Sequence, residues 1–343
     1  MTRTTPPRPA DVTAVLPRLA PLARTATRLH PRPGSPSARD SSVGGALLWP
    51  AAEPWPHCDG PHELAGVNPA MPLPDVRRGR RIRAAAYGRS LTEQEREALA
   101  RIRPARSGPM TEPPVPQPYG GSMAMLPVAQ LYVRDVPGLR APEGTDVLQI
   151  LWCPFDHPPE QYMPRTALFW RSAAEVVDVL STPPEPPAVQ FDGYVPEPCL
   201  IDPEQVTEYP DLMELSEESQ ERLADWNAWQ AAGAAPDGSY APAPQEFYGD
   251  ALSVAPGWKV GGWASWGLTD PVPQHCRVCG APMAPLLTIA TGEWDDSKQS
   301  WIPYEDRTAG HGHPTAVQIG RGYSQQLYVC PTTPEHPHSE LMQ

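Results

Sequence analysis

Cysteine-bearing landmarks occur twice in this chain, in the same order, and that repetition limits the folds open to it more than any other feature. An early stretch reads Val43-Gly44-Gly45, then Trp49, then Cys58 and His62. It is answered later by Leu148-Gln-Ile-Leu-Trp-Cys153-Pro-Phe-Asp-His157. The second stretch reads Val260-Gly261-Gly262, then Trp266, then Cys276 and Cys279, and is answered by Gln326-Leu-Tyr-Val-Cys330 and His336. Met125-Leu-Pro-Val likewise matches Met283-Ala-Pro-Leu. Four landmarks in matching order predict an internal duplication. Each half then offers two early and two late Cys/His positions, the ligand complement of one tetrahedral zinc site.

The second set carries the firmer motif. Cys276-Arg-Val-Cys279-Gly280 has knuckle spacing: two intervening residues let both thiolates face one ion, and the glycine permits the tight turn. Cys330 and His336 are the natural third and fourth ligands, with His338 competing for the fourth place. A redox dithiol is the alternative, but such a motif opens a helix after a strand. Here Pro271, Pro273 and Pro282 surround it and predict a loop. Cys58-x3-His62 and Cys153-x3-His157 are weaker alone, because an isolated buried cysteine is usually a small hydrophobe. The matching positions raise them to a candidate Cys2His2 site, with His57 in reserve. The cofactor reading is therefore Zn2+, one ion at the second set and a second at the first. Four protein ligands at each would make the metal structural, since catalytic zinc keeps a place for water. Cys199 has no partner at motif spacing and reads as core. His311-Gly-His313 reads as a solvated loop, and Glu293, Asp295 and Asp296 around Trp294 as surface acids.

Proline sets the style of the fold. Forty-nine prolines in 343 residues argue against long helices and for short strands and loops. Eleven Trp and eleven Tyr supply core material. Met125–Val133, Val147–Cys153, Ala167–Trp170, Met283–Thr291, Ala316–Ile319 and Gln326–Cys330 read as strands. Short helices are predicted over residues 173–180, over residues 93–103 behind a Thr92/Glu95 capping box, and from Ser216 to about Ala232. The predicted class is α+β, strand-rich, with two related halves packed together and few short helices. The division is an N-terminal extension (1–24, of which residues 1–10 read as disordered), a first half (25–232) and a second half (233–343). The first half carries an Arg-rich insertion over 63–120; the second opens on a linker over 233–247.

Charge narrows the partners. The net charge of −13 argues against nucleic acid and anionic membranes. No apolar run approaches a membrane span and no hydrophobic leader is evident, so a cytoplasmic setting is expected, where clustered Cys/His are more often ligands than disulfides. Ten arginines between Arg77 and Arg106 read as a solvated helical excursion, with anion binding by Arg80, Arg81 and Arg83 as the alternative. No nucleophile elbow, phosphate loop, dinucleotide fingerprint or HExxH motif is present.

The Gly-Gly turn leading to Trp49-Pro and Trp55-Pro resembles the SK-x-GG-x-P…WP signature of the YwqG-like (DUF1963) family. Trp258-Lys259-Val260-Gly261-Gly262-Trp263 with Cys276-x2-Cys279-Gly280 is similar to its second half, as are the strands at 126–131 and 148–151. The resemblance covers most of 40–343 outside the insertion and is nearest to an actinobacterial branch with extra Cys/His residues. The chain departs from the pattern at Ser42-Val43, in place of Ser-Lys, and at Gly320-Arg-Gly-Tyr323, in place of a GDGG-like turn. The resemblance implies no catalytic residue. The functional expectation is a zinc-binding, non-catalytic interaction protein with a protein or small-molecule partner. The alternatives are a metal-dependent hydrolase with an open site beside Glu63 or Asp156, and a toxin-neutralising role implied by the family's conflict settings.

Overall fold

A computed structural model describes residues 2–64, 70–102, 117–157, 161–234, 236–308 and 312–343. Its framework is twelve strands in two antiparallel sheets. In chain order they are β1 (Arg24–Arg28), β2 (Arg32–Pro33), β3 (Ser42–Val43), β4 (Leu126–Tyr132), β5 (Val147–His157), β6 (Gln161–Arg171), β7 (Cys199–Leu200), β8 (Glu204–Glu208), β9 (Lys259–Gly261), β10 (Ala284–Ala290), β11 (Ser324–Val329) and β12 (Ser339–Met342). The first sheet has the order β6-β5-β4-β3-β7-β2 and the second β12-β11-β10-β9-β1-β8. Each sheet therefore takes five strands from its own run of six and one from the other. β1 lies between β8 and β9, and β7 lies between β2 and β3.

The two sheets agree in register as well as in order. Across the first, the aligned residues are Pro33, Cys199, Val43, Ala129, Ile150 and Leu168. Across the second they are Gln205, Thr27, Val260, Leu287, Leu327 and Glu340. Pro127 and Pro285 fall at the same place beside a register shift, which leaves Val128 and Leu286 as the unpaired residues. Proline has no ladder hydrogen to lose there, so a bulge tolerates it inside the sheet. Two further contacts repeat. The Thr27 hydroxyl donates to the Pro137 carbonyl, and the register-equivalent Cys199 thiol donates to the Pro314 carbonyl at 3.4 Å.

The Gly-Gly-x3-Trp landmark has a physical explanation. Gly44, Gly261 and Gly262 have φ of +63°, +70° and +74°, the left-handed region that side chains resist. The turn brings the carbonyl before each tryptophan back over the sheet. Leu48 O accepts from Gln149 Nε2 at 2.9 Å, and Ser265 O accepts from Gln326 Nε2 at 2.8 Å. Both glutamines are buried, so each amide needs such a partner.

One buried cluster joins the sheets: Val128, Leu148, Ile150 and Trp152 of the first with Val260, Leu287, Ile289 and Leu327 of the second. β5 is buried at every position, which explains why apolar residues occupy both of its faces. A smaller helical core gathers Val12, Val15, Leu223, Trp229, Phe247 and Tyr248.

Several expectations need correction. Residues 2–8 are ordered: Arg3 Nε donates to Asp306 at 2.9 Å, and Arg8 donates to the carbonyls of Ala251 and Ser300. Met1 lies outside the described residues. The helix expected after Ser216 is two helices, Glu217–Ala224 and Trp226–Ala231. Asp225 interrupts it, because its carboxylate caps Asn227 N–H at 3.0 Å. Residues 173–180 form turns rather than a helix, and 316–319 contribute only an isolated bridge from Ile319. The 233–247 segment is not a free linker, since Pro244–Phe247 is a helix whose Phe247 enters the helical core.

Helix α1 is Val12–Val15; within the insertion, helix α2 (Leu73–Ala85) and helix α3 (Glu93–Ile102) are seen, the latter closed by the Thr92–Glu95 capping box. Residues 65–69 and 103–116, including Arg103 and Arg106, lie outside the described residues. α2 is more than a solvated excursion. Leu73 and Val76 join the central core. The Arg80 guanidinium donates to Val195 O and Asp192 O, both at 2.6 Å, and to Glu197 at 2.8 Å.

Candidate metal centres

The first cluster is built from a short loop and the end of the longest strand. Cys58 lies in a two-stranded ribbon with Met123–Ala124, and His62 pairs with Tyr119 in another. Gly60, at φ +90°, makes the turn between them. Cys153 and His157 stand four residues apart on β5, so they share a face. Between Trp152 and Asp156 the ladder with β6 carries extra residues. That bulge bends the strand and lets both side chains reach one point.

The ligand atoms of Cys58, His62, Cys153 and His157 all lie within 4.8 Å of one another. Cys153 Sγ is 3.3 Å from His62 Nε2, and Cys58 Sγ is 3.7 Å from His157 Nε2. All four residues are buried in a cluster containing Trp49, Trp55, Met123 and Phe155. The His62 ring lies 5.3 Å from the rings of Phe155 and His157. The two sulfurs are hydrogen-bonded to each other. Cys58 is lowered to about 3, first by the Cys153 thiol that donates to it and, against the cost of burial, by His157, the Gly60 N–H and His62. Cys153 is correspondingly pushed up by Cys58 and by burial. A cation here would remove the Cys153 proton and satisfy both sulfurs.

The second cluster is a pair of loops at strand ends. Cys276 N–H donates to Ala281 O at 2.9 Å and Gly280 N–H to Cys276 O at 2.8 Å, closing the turn with Gly280 at φ +71°. Cys330 directly follows β11, and His336 follows through a turn in which its N–H donates to Thr333 O at 3.0 Å. The ligand atoms of Cys276, Cys279, Cys330 and His336 again lie within 4.8 Å of one another. Cys276 Sγ is 3.4 Å from His336 Nδ1, and Cys279 Sγ is 3.5 Å from Cys330 Sγ.

Backbone N–H groups converge on these sulfurs: Cys279 and Val278 on Cys276, Ala281 on Cys279, and Thr333 and Thr332 on Cys330. Cys276 is lowered mainly by the Cys279 N–H. Desolvation raises Cys330, but the Thr333 N–H and His336 outweigh it and hold the thiol at about 6. His336 is raised, chiefly by Cys330. Such N–H donation stabilises thiolate before any ion arrives. Cys279 is exposed, so this centre is the more open of the two.

The remaining candidates are placed elsewhere. His338 is held against Thr166 Oγ1 at 2.8 Å. His57 is exposed, with Nδ1 2.8 Å from Trp55 O. Cys199 is buried between strands. Asp156 is occupied by Tyr194 Oη at 2.6 Å and Gln190 Nε2 at 2.8 Å. The side chain of Glu63 and residue His311 lie outside the described residues. Glu293 is not a surface acid: it is 2% exposed and accepts from Trp258 N–H at 3.0 Å. It lies 4.0 Å from His30 Nδ1. Sequence reasoning also missed this buried group of Arg28, His30 and Glu293, since its members come from strand ends far apart in the chain.

No protein-family model and no curated protein matches the chain.

Proposed function

We propose that this is a zinc-binding, non-catalytic binding protein in which two zinc ions pin the ends of the central strands. The observation that carries the reading is the pair of four-ligand clusters. A zinc tetrahedron with Zn–S of about 2.3 Å and Zn–N of about 2.0 Å has ligand–ligand edges of roughly 3.5–3.8 Å. The contacts of 3.3, 3.4, 3.5 and 3.7 Å are close to those edges. Thiolate and imidazole donors suit zinc rather than calcium or magnesium. Four protein ligands complete a tetrahedral shell and leave no vertex for substrate or attacking water. When bound, the ion would supply cross-linking and folding energy, apparent values being on the order of 10 kcal/mol.

The test is elemental analysis of metal-replete protein. About two zinc ions per chain are expected, and fewer than one would sink the proposal. Spectroscopy of the cobalt-substituted protein separates closed from open sites. Four-coordinate spectra unchanged by azide support structural metal, whereas an azide-sensitive band would favour the hydrolase.

We also infer that the chain arose by duplication of a six-strand unit, the boundary lying between Arg171 and Cys199 rather than at residues 232–233, since β7 and β8 fall in the second run of six. The shared register, the paired bulges at Pro127 and Pro285, and the exchange of β1 for β7 support this. Among homologous sequences, Gln149 should align with Gln326 and Pro127 with Pro285. Profiles that align the two runs in another register would overturn it.

A further inference from the structure

The two runs of strands match, but what covers them does not. In the first, α2 lies over the sheet. Its Leu73 and Val76 enter the core beside Val128 and Val195, and Arg80 reaches Glu197. Glu197 is the register equivalent of Thr25, two residues ahead of Thr27 as Glu197 is of Cys199. The second run has no room for such a cover. Met283 follows Cys276 by 7 residues, where Met125 follows Cys58 by 67 (283 − 276 and 125 − 58).

Among the described residues no helix covers the corresponding face, which is a groove of about 540 Å³, within the range of small-molecule sites. Val260, Pro285 and Leu286 supply apolar lining, beside the polar side chains of Thr25, Thr27 and Gln205. One wall is the loop after Cys330, through Pro331 and Pro334, so the second metal centre holds it in place. Arg24 and Arg140 are the charged residues of the lining. The Arg24 guanidinium lies 3.4 Å over the Trp263 ring, which orients it.

Among the described residues neither arginine forms an ion pair, unlike Arg80 over the first sheet. In a chain of net charge −13, two arginines that form no ion pair and line one groove, Arg24 feeling Glu214 and Glu208 only at longer range, suit a ligand's anion.

We propose that this groove binds a small amphipathic anion, its carboxylate or sulfonate head held by Arg24 and Arg140 and its aromatic or acyl body resting on Val260, Pro285 and Leu286. The proposal rests on the reading of the chain as a binding protein, and its test leaves the metal count untouched.

The experiment is a fluorescence titration of the zinc-replete full chain with anilinonaphthalene sulfonate and with its neutral counterpart lacking the sulfonate, N-phenylnaphthylamine. Saturable one-to-one binding of the anion is expected, about tenfold tighter than the neutral probe, the worth of one charge-assisted contact. Arg24→Gln with Arg140→Gln should remove that margin without changing zinc content or circular dichroism. Arg140→Gln alone alters an exposed side chain and keeps the fold, and it should weaken the anion about threefold. Equal binding of the two probes, or unchanged anion binding by Arg140→Gln, would overturn the proposal. Loss of zinc with probe binding intact would instead count against the metal reading alone.

Discussion

Gln149 and Gln326 are equivalent residues of two separate sheets. Each amide donates to the carbonyl just before a tryptophan, and each stands four residues ahead of a cysteine in a candidate metal cluster. The shared geometry links the buried strand, the Gly-Gly turn and the metal ligands into one unit. It also makes the two centres internal controls for each other.

Cys153→Ser and Cys330→Ser should each leave about one zinc per chain. Their consequences should differ. Cys153 is fully buried among apolar side chains, so losing its ion strands polar atoms in the core. This variant should lose several kcal/mol, a large share of a domain's usual stability. Cys330→Ser disturbs a cluster with one exposed ligand and should cost less. Metal content measured beside thermal unfolding decides this, and wild-type zinc content in either variant contradicts the ligand assignment.

Glu293 should make stability depend on pH in the direction opposite to an ordinary ion-paired carboxylate. Burial raises its pKa to about 7 from a usual 4.5, against the opposing pull of Arg28 and the Trp258 N–H. The folded state therefore holds a proton that the unfolded chain releases near 4.5. Its contribution is complete below about 4.5 and is lost as pH rises through about 7. Glu293→Gln should flatten this dependence. Urea midpoints at pH 5.5 and 8, compared between variant and wild type, provide the measurement. Equal slopes would show that Glu293 does not titrate in this window.

Lys259 and Glu208 form a buried pair, with Nζ 2.6 and 2.8 Å from the two carboxylate oxygens and side-chain exposures of 2% and 0%. Glu208 also accepts from Ala255 N–H and Trp263 N–H, which ties β8 to the turn after β9. Lys259→Met leaves that carboxylate without its cation and should cost about 3–5 kcal/mol in chemical denaturation. Adding Glu208→Gln removes the stranded charge, keeps an acceptor for the N–H groups, and should recover part of the loss. A double variant no more stable than Lys259→Met would place the cost in packing instead.

Gly44→Ala and Gly262→Ala should both destabilise. A Cβ on Gly262 would stand 2.2 Å from Glu208 Oε2 and 2.7 Å from Ala26 Cβ, and one on Gly44 would stand 2.7 Å from Glu197 O. With the positive φ at each position, about 2 kcal/mol or more is expected. Gly267→Ala meets nothing within 4 Å and should be near neutral. Denaturation midpoints of the three variants compare them directly, and a neutral Gly262→Ala would contradict the close approach of β1.

The strand content and the ligand sets were readable in the chain because they rest on local rules. Apolar runs between prolines make strands, and Cys-x2-Cys-Gly makes a knuckle turn. The expected helix at 173–180 failed where tertiary pairing overrode local propensity: Ala51 and Leu180 hold that segment along Trp49 through backbone hydrogen bonds. Arg80 illustrates the same limit. A row of arginines looks solvated until one guanidinium finds three acceptors supplied by residues 192–197.

By itself the sequence determined a proline-punctuated, strand-rich α+β chain with eight Cys/His residues at ligand spacing. Only the tertiary structure decided that β1 and β7 change places between sheets, that His336 rather than His338 joins the three cysteines, and that the second sheet keeps an open groove. Those outcomes depend on which distant backbone satisfies which buried group. Spacing along the chain carries no record of such partners, because non-local hydrogen bonding and packing choose them.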